Sequence, residues 1–398
     1  MAITTADPIR LLDLTRLVSR AGRPLTGVDR VEYAWLDHLC GLGLPFYGLA
    51  RTSLGYVLLD ARGCSALRDR VRDGKWGPAD PLSRLVRGID PGRARAEADL
   101  RRLCIARCVK PLLGRMLRRH LPRGVHYVNL GHTNLTDRVI AALKSRESRI
   151  AVLVHDTIPL DAPQYQRPGA VDRFAAFLAR VGRCADAVIC NSEQTRADVA
   201  RHLGTAMPEA VVAPLGIDVA APGVPPEGPW TQPYFVTVGT IEPRKNHALL
   251  LDLWPEIPDA HLLICGSRGW ENHRTFARLD ARPKRVHELP GLSDTQIAAL
   301  LAGSAGMLFP SLAEGYGLPP AEAAALGVPV LCNDLPIYRE VLGNIPVYAD
   351  ASDRYLWRNK IREMAAHHRA GQDGRGQAAP IFDPPTWESH FNKALTLI

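Results

Sequence analysis

The stretch from Phe309 to Gly327 (FPSLAEGYGLPPAEAAALG) constrains the fold of this chain more than any other. The apolar run 306–309 is short and suits a buried strand of a parallel sheet. Pro319 and Pro320 stand where a helix begins, because proline loses no hydrogen bond at the first helical position. The stretch therefore predicts a strand, a glycine loop and a helix N-terminus, whose backbone N–H groups and dipole together favour an anion.

Two carboxylates flank this predicted anion site. Glu314 precedes Gly315 and Gly317, and Glu322 follows in the first turn of the predicted helix. A carboxylate repels a phosphate but accepts two O–H bonds from neighbouring hydroxyls, so both residues favour sugar hydroxyls on either side of the phosphates. Glu322 alone would also suit the helix dipole. The whole pattern indicates a site for a nucleotide sugar.

The spacing of these residues resembles that of a known family. Glu314 and Glu322, with Gly-Tyr-Gly-Leu-Pro between them, are similar to the E-x7-E motif of the retaining glycosyltransferases of family 4. The resemblance covers roughly the last half of the chain and implies an α/β GT-B fold, with two Rossmann-like domains facing across a nucleotide-sugar cleft. It implies that Glu314 holds hydroxyls of the donor sugar, that Glu322 holds the ribose, and that the donor lies against Gly315, Tyr316, Gly317 and Leu318.

A basic turn follows the predicted strand 234–239. Arg244 and Lys245 stand together there, and a diphosphate suits such a pair because arginine binds oxygens bidentately and lysine adds a point charge. A pair of basic residues on the surface, without a ligand, is the alternative. The string Glu-Pro-Arg-Lys-Asn resembles that of family 4 mannosyltransferases of surface polysaccharides. Many relatives have arginine where Thr240 stands. We expect Thr240 to contact the donor, but without that arginine the phosphates should depend more on Arg244 and Lys245.

A histidine ends the predicted strand 149–156. His155 and Asp156 follow an apolar run, and open α/β sheets bind ligands at the carboxyl ends of their strands. The segment His-Asp-Thr-Ile-Pro resembles a His-Asp-x-x-Pro segment of family 4, which implies that His155 lies close to the donor sugar. The alternative is a strand-end histidine whose hydrogen bonds are satisfied within the protein.

The loop after the first predicted strand, residues 9–15, supplies the acceptor-side candidates. In GT-B enzymes this loop lies over the cleft, so the resemblance implies acceptor-side roles for Gly27, Asp29 and Arg30. The family's usual Gly-Gly pair is absent here. An ordinary loop with Thr26 as the N-cap of a helix explains the same residues.

The composition divides the chain into two parts. A chain of 398 residues with 46% apolar residues favours two domains. The stretch 218–233 is rich in proline and glycine and is typical of an interdomain linker. We therefore predict an acceptor-side Rossmann-like domain over 1–218 and a donor-binding Rossmann-like domain over 219–384. The resemblance implies that a last helix, 385–398, packs back on the first domain.

The formal charge of +8 indicates an anionic partner. The segment 93–123 holds nine arginines and one lysine, and arginine stems cover apolar surface while their heads contact phosphates. One hypothesis is a peripheral contact with an anionic membrane or a lipid-linked acceptor. The other is a solvated basic face on a core helix. Aromatic residues are nearly missing from the segment, which argues against nucleic acid as a partner.

The cysteines and the N-terminus bear on the compartment. The eight cysteines show no C-x-x-C pair and no metal-like spacing, which predicts reduced thiols and no metal site. Cys104 and Cys108 are expected to pack on one helix. The sequence has no signal-peptide pattern and no run long enough to span a membrane. We expect a cytoplasmic protein, or one at the inner face of the cell membrane.

These features predict a sugar transfer that needs neither a metal nor a cofactor. No D-x-D pair is present, so neutralising a departing diphosphate falls to Arg244, Lys245 and the loop backbone. The family implies retention of anomeric configuration without a protein base. GDP-mannose is the first choice of donor, and a glycan or glycolipid is the expected acceptor. The alternatives are a UDP- or dTDP-sugar donor, a nucleotide-sugar epimerase of the same fold, and an inactive scaffold.

Overall fold

The first of two sheets forms the amino-terminal half of the fold. The structure, a computed structural model, describes residues 8–270, 272–371 and 382–398. The sheet runs in the order β4-β3-β2-β1-β5-β6-β7-β8, and every neighbouring pair is parallel except those that β3 makes with β2 and β4. Its strands are β1 Arg10–Asp13, β2 Phe46–Thr52, β3 Gly55–Asp60, β4 Ala106–Cys108, β5 His126–Asn129, β6 Arg149–Val154, β7 Ala187–Cys190 and β8 Glu209–Val212.

The second sheet is entirely parallel and runs in the order β11-β10-β9-β12-β13-β14. The strand order reverses between β9 and β12, which are neighbours in the sheet although two strands separate them along the chain. Ligands of open α/β sheets bind at such a switch point, at the carboxyl ends of the strands. Its strands are β9 Tyr234–Val238, β10 His261–Cys265, β11 Val286–Leu289, β12 Gly306–Phe309, β13 Val330–Cys332 and β14 Val347–Tyr348.

Helices cover both faces of each sheet, which is why the central strands are apolar on both sides. Around the first sheet lie α1 Thr15–Ser19, α2 Gly27–Gly41, α3 Ala61–Asp73, α4 Pro91–Leu103, α5 Leu113–His120, α6 Asp137–Lys144, α7 Ile158–Asp161, α8 Ala170–Cys184 and α9 Glu193–Leu203. Around the second lie α10 His247–Leu253, α11 His273–Asp280, α12 Asp294–Gly303, α13 Leu318–Ala325, α14 Pro336–Leu342 and α15 Arg354–Arg369, and the last helix is α16 Trp387–Ala394.

The last helix, α16, packs against α2 beside the first sheet. The Trp35 indole N–H lies 3.0 Å from His390 Nε2, and the Phe391 ring stacks on His38 with 3.7 Å between ring centres. On its other side His390 Nδ1 lies 3.0 Å from the carbonyl oxygen of Ala213. After the second sheet, the chain therefore returns to the domain built on the first sheet.

Several predicted elements have different bounds in the structure. Thr15 begins α1 instead of ending the first strand, and the predicted helix 385–398 extends only over α16. The prediction that Cys104 and Cys108 share a helix is wrong. Helix α4 ends at Leu103 and Cys108 lies in β4, because Ile105 N–H bonds to the carbonyl of Leu58 and draws the chain to the sheet edge.

The basic segment 93–123 divides into two parts. In α4 the arginines are bound within the domain, with Arg93 2.8 Å from Glu97, Arg101 2.6 Å from Asp80, and Arg102 2.7 Å from Asp99. Residues 105–123 instead expose apolar side chains, namely Ile105, Val109 and Leu112. Within the described part of the chain, no helix is long and apolar enough to span a membrane.

Candidate active site

The loops that leave β9 and β12 meet at the switch point of the second sheet. The Leu312 N–H donates to the carbonyl of Arg244 over 2.7 Å and ties the loop after β12 to the short 3₁₀ turn Pro243–Lys245. Gly317 stands before α13 with φ of 99°, a left-handed conformation that glycine adopts without strain. The predicted strand, glycine loop and helix are therefore present, with the predicted cations beside them.

Three of the predicted side chains form one ion cluster. Glu314 Oε1 lies 2.5 Å from Lys245 Nζ and 2.9 Å from Arg244 Nη1. Arg244 Nε also lies 2.7 Å from Glu242 Oε1. The Lys245 and Glu314 side chains are 9% and 8% exposed, so the pair is almost withdrawn from water. The structure thus brings together two cations and a carboxylate from two loops that are 69 residues apart.

The charges in this cluster fix the protonation of Glu314. Burial raises the pKa of Glu314, but Arg244 and Lys245 outweigh it and lower the pKa to about 2. Burial lowers the pKa of Lys245, against the raising effect of Glu314. Glu314 is therefore ionised at neutral pH. It can accept hydrogen bonds from hydroxyl groups, but it is a weak general base.

His155 lies on the first-domain side of the same site. It is 6% exposed, and its Nε2 lies 2.7 Å from the carbonyl oxygen of Leu130, so Nε2 carries the proton and donates. Burial lowers the pKa of His155 to about 4, which keeps the ring neutral at pH 7. The remaining nitrogen, Nδ1, is then a hydrogen-bond acceptor.

The glycine loop touches the first domain directly. A β-carbon on Gly315 would lie 2.9 Å from Asp156 Oδ2 and from the carbonyl oxygen of His155, so only glycine fits there without displacement. Asn191 Nδ2 donates to the carbonyls of His155 and Gly315, over 2.9 and 3.3 Å. The Tyr316 hydroxyl donates to the carbonyl of Leu215 over 3.1 Å. The Tyr316 side chain therefore supports the contact between the domains.

The acceptor-side candidates have three different positions. Gly27 begins α2 and faces the second domain, since a β-carbon there would lie 3.4 Å from Leu318 Cδ1. The first residues of α2 and α13 are therefore close to each other. Asp29 is 0% exposed and bound by Arg16 and Arg20 at 2.6 and 2.8 Å. Asp29 stabilises the start of α2, and its burial places it away from an acceptor.

Arg30 contacts the second domain instead of a free acceptor surface. Its Nη1 lies 2.8 Å from Glu322 Oε1 and its Nη2 lies 2.5 Å from Asp294 Oδ1. Burial raises the pKa of Glu322 to about 7, with Arg30 acting in the opposite direction. Sequence reasoning missed this contact because 292 residues separate Arg30 from Glu322.

Thr240 is exposed just after β9. Its methyl group lies so close to Gly269 that a β-carbon on Gly269 would be 2.7 Å from it.

A cleft pocket between the domains is lined by Asp156, Thr157, Gln194, Glu314, Gly315 and Ile337, among others. In residues 8–270, 272–371 and 382–398, no group of three or more His, Cys, Asp or Glu side chains is placed to hold a metal ion. The pocket is therefore lined by residues of both domains.

Two family models match the chain. The glycosyltransferase family 4 model matches residues 70–221, and the model of glycosyl transferases group 1 matches residues 226–349. Together they span more than half of the chain. The chain belongs to the glycosyltransferases that these two models describe. Residues 314–322 and the basic turn lie in the group 1 match, and His155 lies in the family 4 match.

Solved structures of low sequence identity show the same fold. The Anabaena protein HepE, solved in complex with UDP-glucose, is 14% identical with a TM-score of 0.62, and the match covers 98% of this chain and 99% of HepE. WaaG, a glycosyltransferase involved in lipopolysaccharide biosynthesis, is 14% identical with a TM-score of 0.61, and the match covers 97% and 99%. The predicted GT-B fold is confirmed.

Relatives of higher identity match over shorter stretches. The serotype-specific mannosyltransferase WbdA of Escherichia coli is 32% identical over 227 residues, which cover 51% of this chain and 28% of WbdA. The O-antigen chain mannosyltransferase B of Escherichia coli is 33% identical over 129 residues, which cover 31% of this chain and 34% of that protein. The chain thus spans about a third or less of the length of these two relatives.

Proposed function

We propose that this chain is a retaining, metal-independent mannosyltransferase that moves mannose from GDP-mannose to a glycan or lipid-linked acceptor of a surface polysaccharide. The observation that carries the proposal is the ion cluster of Arg244, Lys245 and Glu314, in which Lys245 and Glu314 are almost withdrawn from water. The choice of mannose is supported by the names of the relatives, which are mannosyltransferases. Because those matches are partial, donor and acceptor remain part of the proposal.

The diphosphate of the donor would lie between α2 and α13. The first N–H groups of a helix have no partner within it, so both helix N-termini offer donors to the phosphate oxygens. Arg244 and Lys245 would turn part of their contact from Glu314 to the phosphates, each charge-assisted bond contributing roughly 1.5–3 kcal/mol. Glu314 would then accept hydrogen bonds from the sugar hydroxyls, and Glu322 would accept hydrogen bonds from the ribose hydroxyls.

The protonation states of the site support transfer without a protein base. Glu314, with a pKa of about 2, and His155, with a pKa of about 4, are both weak bases at neutral pH. In the proposed front-side reaction, the bond from the sugar C1 to the phosphate oxygen breaks as the acceptor oxygen bonds to C1 on the same face. The proton of the acceptor hydroxyl passes to the departing phosphate oxygen. His155 would orient the sugar through Nδ1.

Thermal unfolding in the presence of nucleotide sugars tests the donor. We expect GDP-mannose to raise the melting temperature more than UDP-, dTDP- or ADP-sugars, with EDTA present throughout. Ligand at 100 times its Kd stabilises the folded state by about 2.7 kcal/mol. The Lys245→Ala variant should lose the shift. The absence of a shift with any of these donors would contradict the proposed function, and a shift that EDTA abolishes would contradict metal independence.

A second part of the proposal concerns where the protein acts. We define the basic surface as Arg107, Lys110, Arg115, Arg118 and Arg119, and none of these five cations forms an ion pair with a described residue. Between Asp99 and Asp137 the sequence has no acidic residue. The exposed apolar side chains of Ile105, Val109 and Leu112 lie on the same segment, at 40%, 56% and 47% exposure. Such a surface favours an anionic membrane.

Binding to lipid vesicles tests this surface. Changing both Arg118 and Arg119 to glutamate should weaken sedimentation with anionic vesicles by tenfold or more, since each cation near such a surface contributes about 1 kcal/mol. Binding of the unchanged protein should fall with added salt. The control carries the same charge change at Arg173 and Lys284, two exposed cations outside the basic surface. Equal loss in the control, or equal binding to neutral vesicles, would contradict the membrane role of this surface.

A further inference from the structure

One arginine joins three helices across the cleft. Arg30 lies in the first turn of α2, and its guanidinium reaches Asp294 at the start of α12 and Glu322 in α13. Both carboxylates belong to the domain built on the second sheet. Gly27, three residues before Arg30, lies against Leu318, the first residue of α13. The contact therefore exists only while the two domains are together.

Glu322 sits in a largely acidic setting. Its side chain is 19% exposed, and the charged groups that act on it are Arg30 from α2, Asp294 from α12 and Asp218 from the linker. Burial is the largest effect on the pKa of Glu322 and raises it. Both aspartates raise this pKa further, while Arg30 lowers it. Arg30 is thus the cation of this set that favours the ionised form of Glu322.

We propose that Arg30 is a positioning residue that holds the Glu322 carboxylate charged and oriented for the ribose hydroxyls of the donor. This inference rests on the proposed function, in which Glu322 binds the ribose. Since Arg30 comes from the opposite domain, the ribose site is complete only when the cleft is closed. Donor binding and domain closure then favour each other, because each stabilises the state that the other requires.

The contact with Arg30 leaves hydrogen-bond acceptor positions on Glu322 for the ribose hydroxyls. The guanidinium bonds to Oε1 of Glu322, and a carboxylate has about four acceptor positions on its two oxygens, so Oε2 stays available to the hydroxyls. The second guanidinium nitrogen is held by Asp294 at 2.5 Å, which fixes the plane of the group. Arginine suits this role because its donors lie in a rigid fork.

A comparison of two nucleotides separates this role from a direct phosphate contact. Binding of GDP and of 2′,3′-dideoxy-GDP would be measured by calorimetry for the wild-type protein and for Arg30→Ala. We expect the variant to bind GDP roughly tenfold or more weakly at pH 7, the scale of one charge-assisted hydrogen bond. Its affinity for the dideoxy nucleotide should change by less than about twofold, because the hydroxyls on which Arg30 acts are missing. Equal weakening of both nucleotides would overturn the proposal in favour of a phosphate contact.

The pH dependence gives a second readout that a merely structural residue would not move. Wild-type GDP binding should weaken as pH falls through about 7, where Glu322 takes up a proton. Loss of Arg30 raises the pKa of Glu322 further, so the midpoint should move to higher pH in Arg30→Ala. An unchanged midpoint would overturn the proposal. Arg30→Lys should restore part of the affinity.

Two further variants distinguish the proposed role of Arg30 from a general effect on folding. Glu322→Gln removes the carboxylate, so adding Arg30→Ala in that background should have no further effect on GDP binding. Arg339→Ala breaks an exposed arginine–aspartate pair of 2.8 Å elsewhere in the second domain and should leave both nucleotides unaffected. If the wild-type protein binds none of GDP, UDP, dTDP and ADP, the proposed function itself fails. If it binds GDP and Arg30→Ala binds GDP equally well or more tightly, the proposal for Arg30 fails alone.

Discussion

Replacing Lys245 by alanine is expected to lower donor turnover by roughly 100-fold or more, the scale of losing one donor that stabilises charge in a transition state. Lys245 lies 2.5 Å from Glu314 and is nearly buried beside the glycine loop, so its charge acts in a poorly solvated place. In the proposed transfer, negative charge would develop on the departing diphosphate, and Lys245 would stabilise that charge more strongly than it stabilises the intact donor.

The measurement is the release of GDP from GDP-mannose with purified wild type, Lys245→Ala and Lys245→Arg. The matched control is Lys284→Ala, which removes an exposed lysine of the same domain. The anomeric configuration of the mannosyl product, read by NMR in the wild-type reaction, tests retention in the same experiment. Near-normal turnover in Lys245→Ala would remove the phosphate role from the proposal, and a β-configured product would contradict retention.

The site elements that depend on local sequence were predicted well. The run 306–327 forms the expected strand, glycine loop and helix, because prolines and glycines restrict the backbone at fixed positions. The basic turn is adjacent to this loop because β9 and β12 are neighbours in the sheet. The placement of Lys245 beside Glu314 thus follows from the strand order of a Rossmann-like domain, and a domain of that kind was what the resemblance implied.

Contacts between distant segments were not accessible from the sequence. Asp29 and Arg30 are neighbours in the chain, yet one is buried under Arg16 and Arg20 while the other crosses to Glu322. The helical turn sends adjacent side chains about 100° apart, so which face meets the cleft depends on how α2 packs. The same limit applies to segment 93–123, where composition could not show that the α4 arginines already have carboxylate partners.

The second large effect is expected on stability. Glu314→Ala should lower the free energy of unfolding by about 3 kcal/mol, because it leaves the buried cations Arg244 and Lys245 without their shared carboxylate. The pKa of Glu314 supports this size. A decrease from 4.5 to about 2 corresponds to about 3 kcal/mol, since one pKa unit corresponds to about 1.36 kcal/mol.

The sign of the pH dependence follows from the lowered pKa. A carboxylate whose folded pKa is depressed stabilises the protein fully above its unfolded pKa, and the stabilisation is lost as pH falls through the folded value. The stability difference between wild type and Glu314→Ala should therefore be constant near pH 7 and shrink between about pH 5 and pH 2. Urea unfolding across this range measures it. Glu288→Ala, which breaks the more exposed pair with Arg268, should cost less than about 1 kcal/mol. A loss for Glu314→Ala no larger than for that control would mean that the two cations find other partners, and that the cluster is not held together by Glu314.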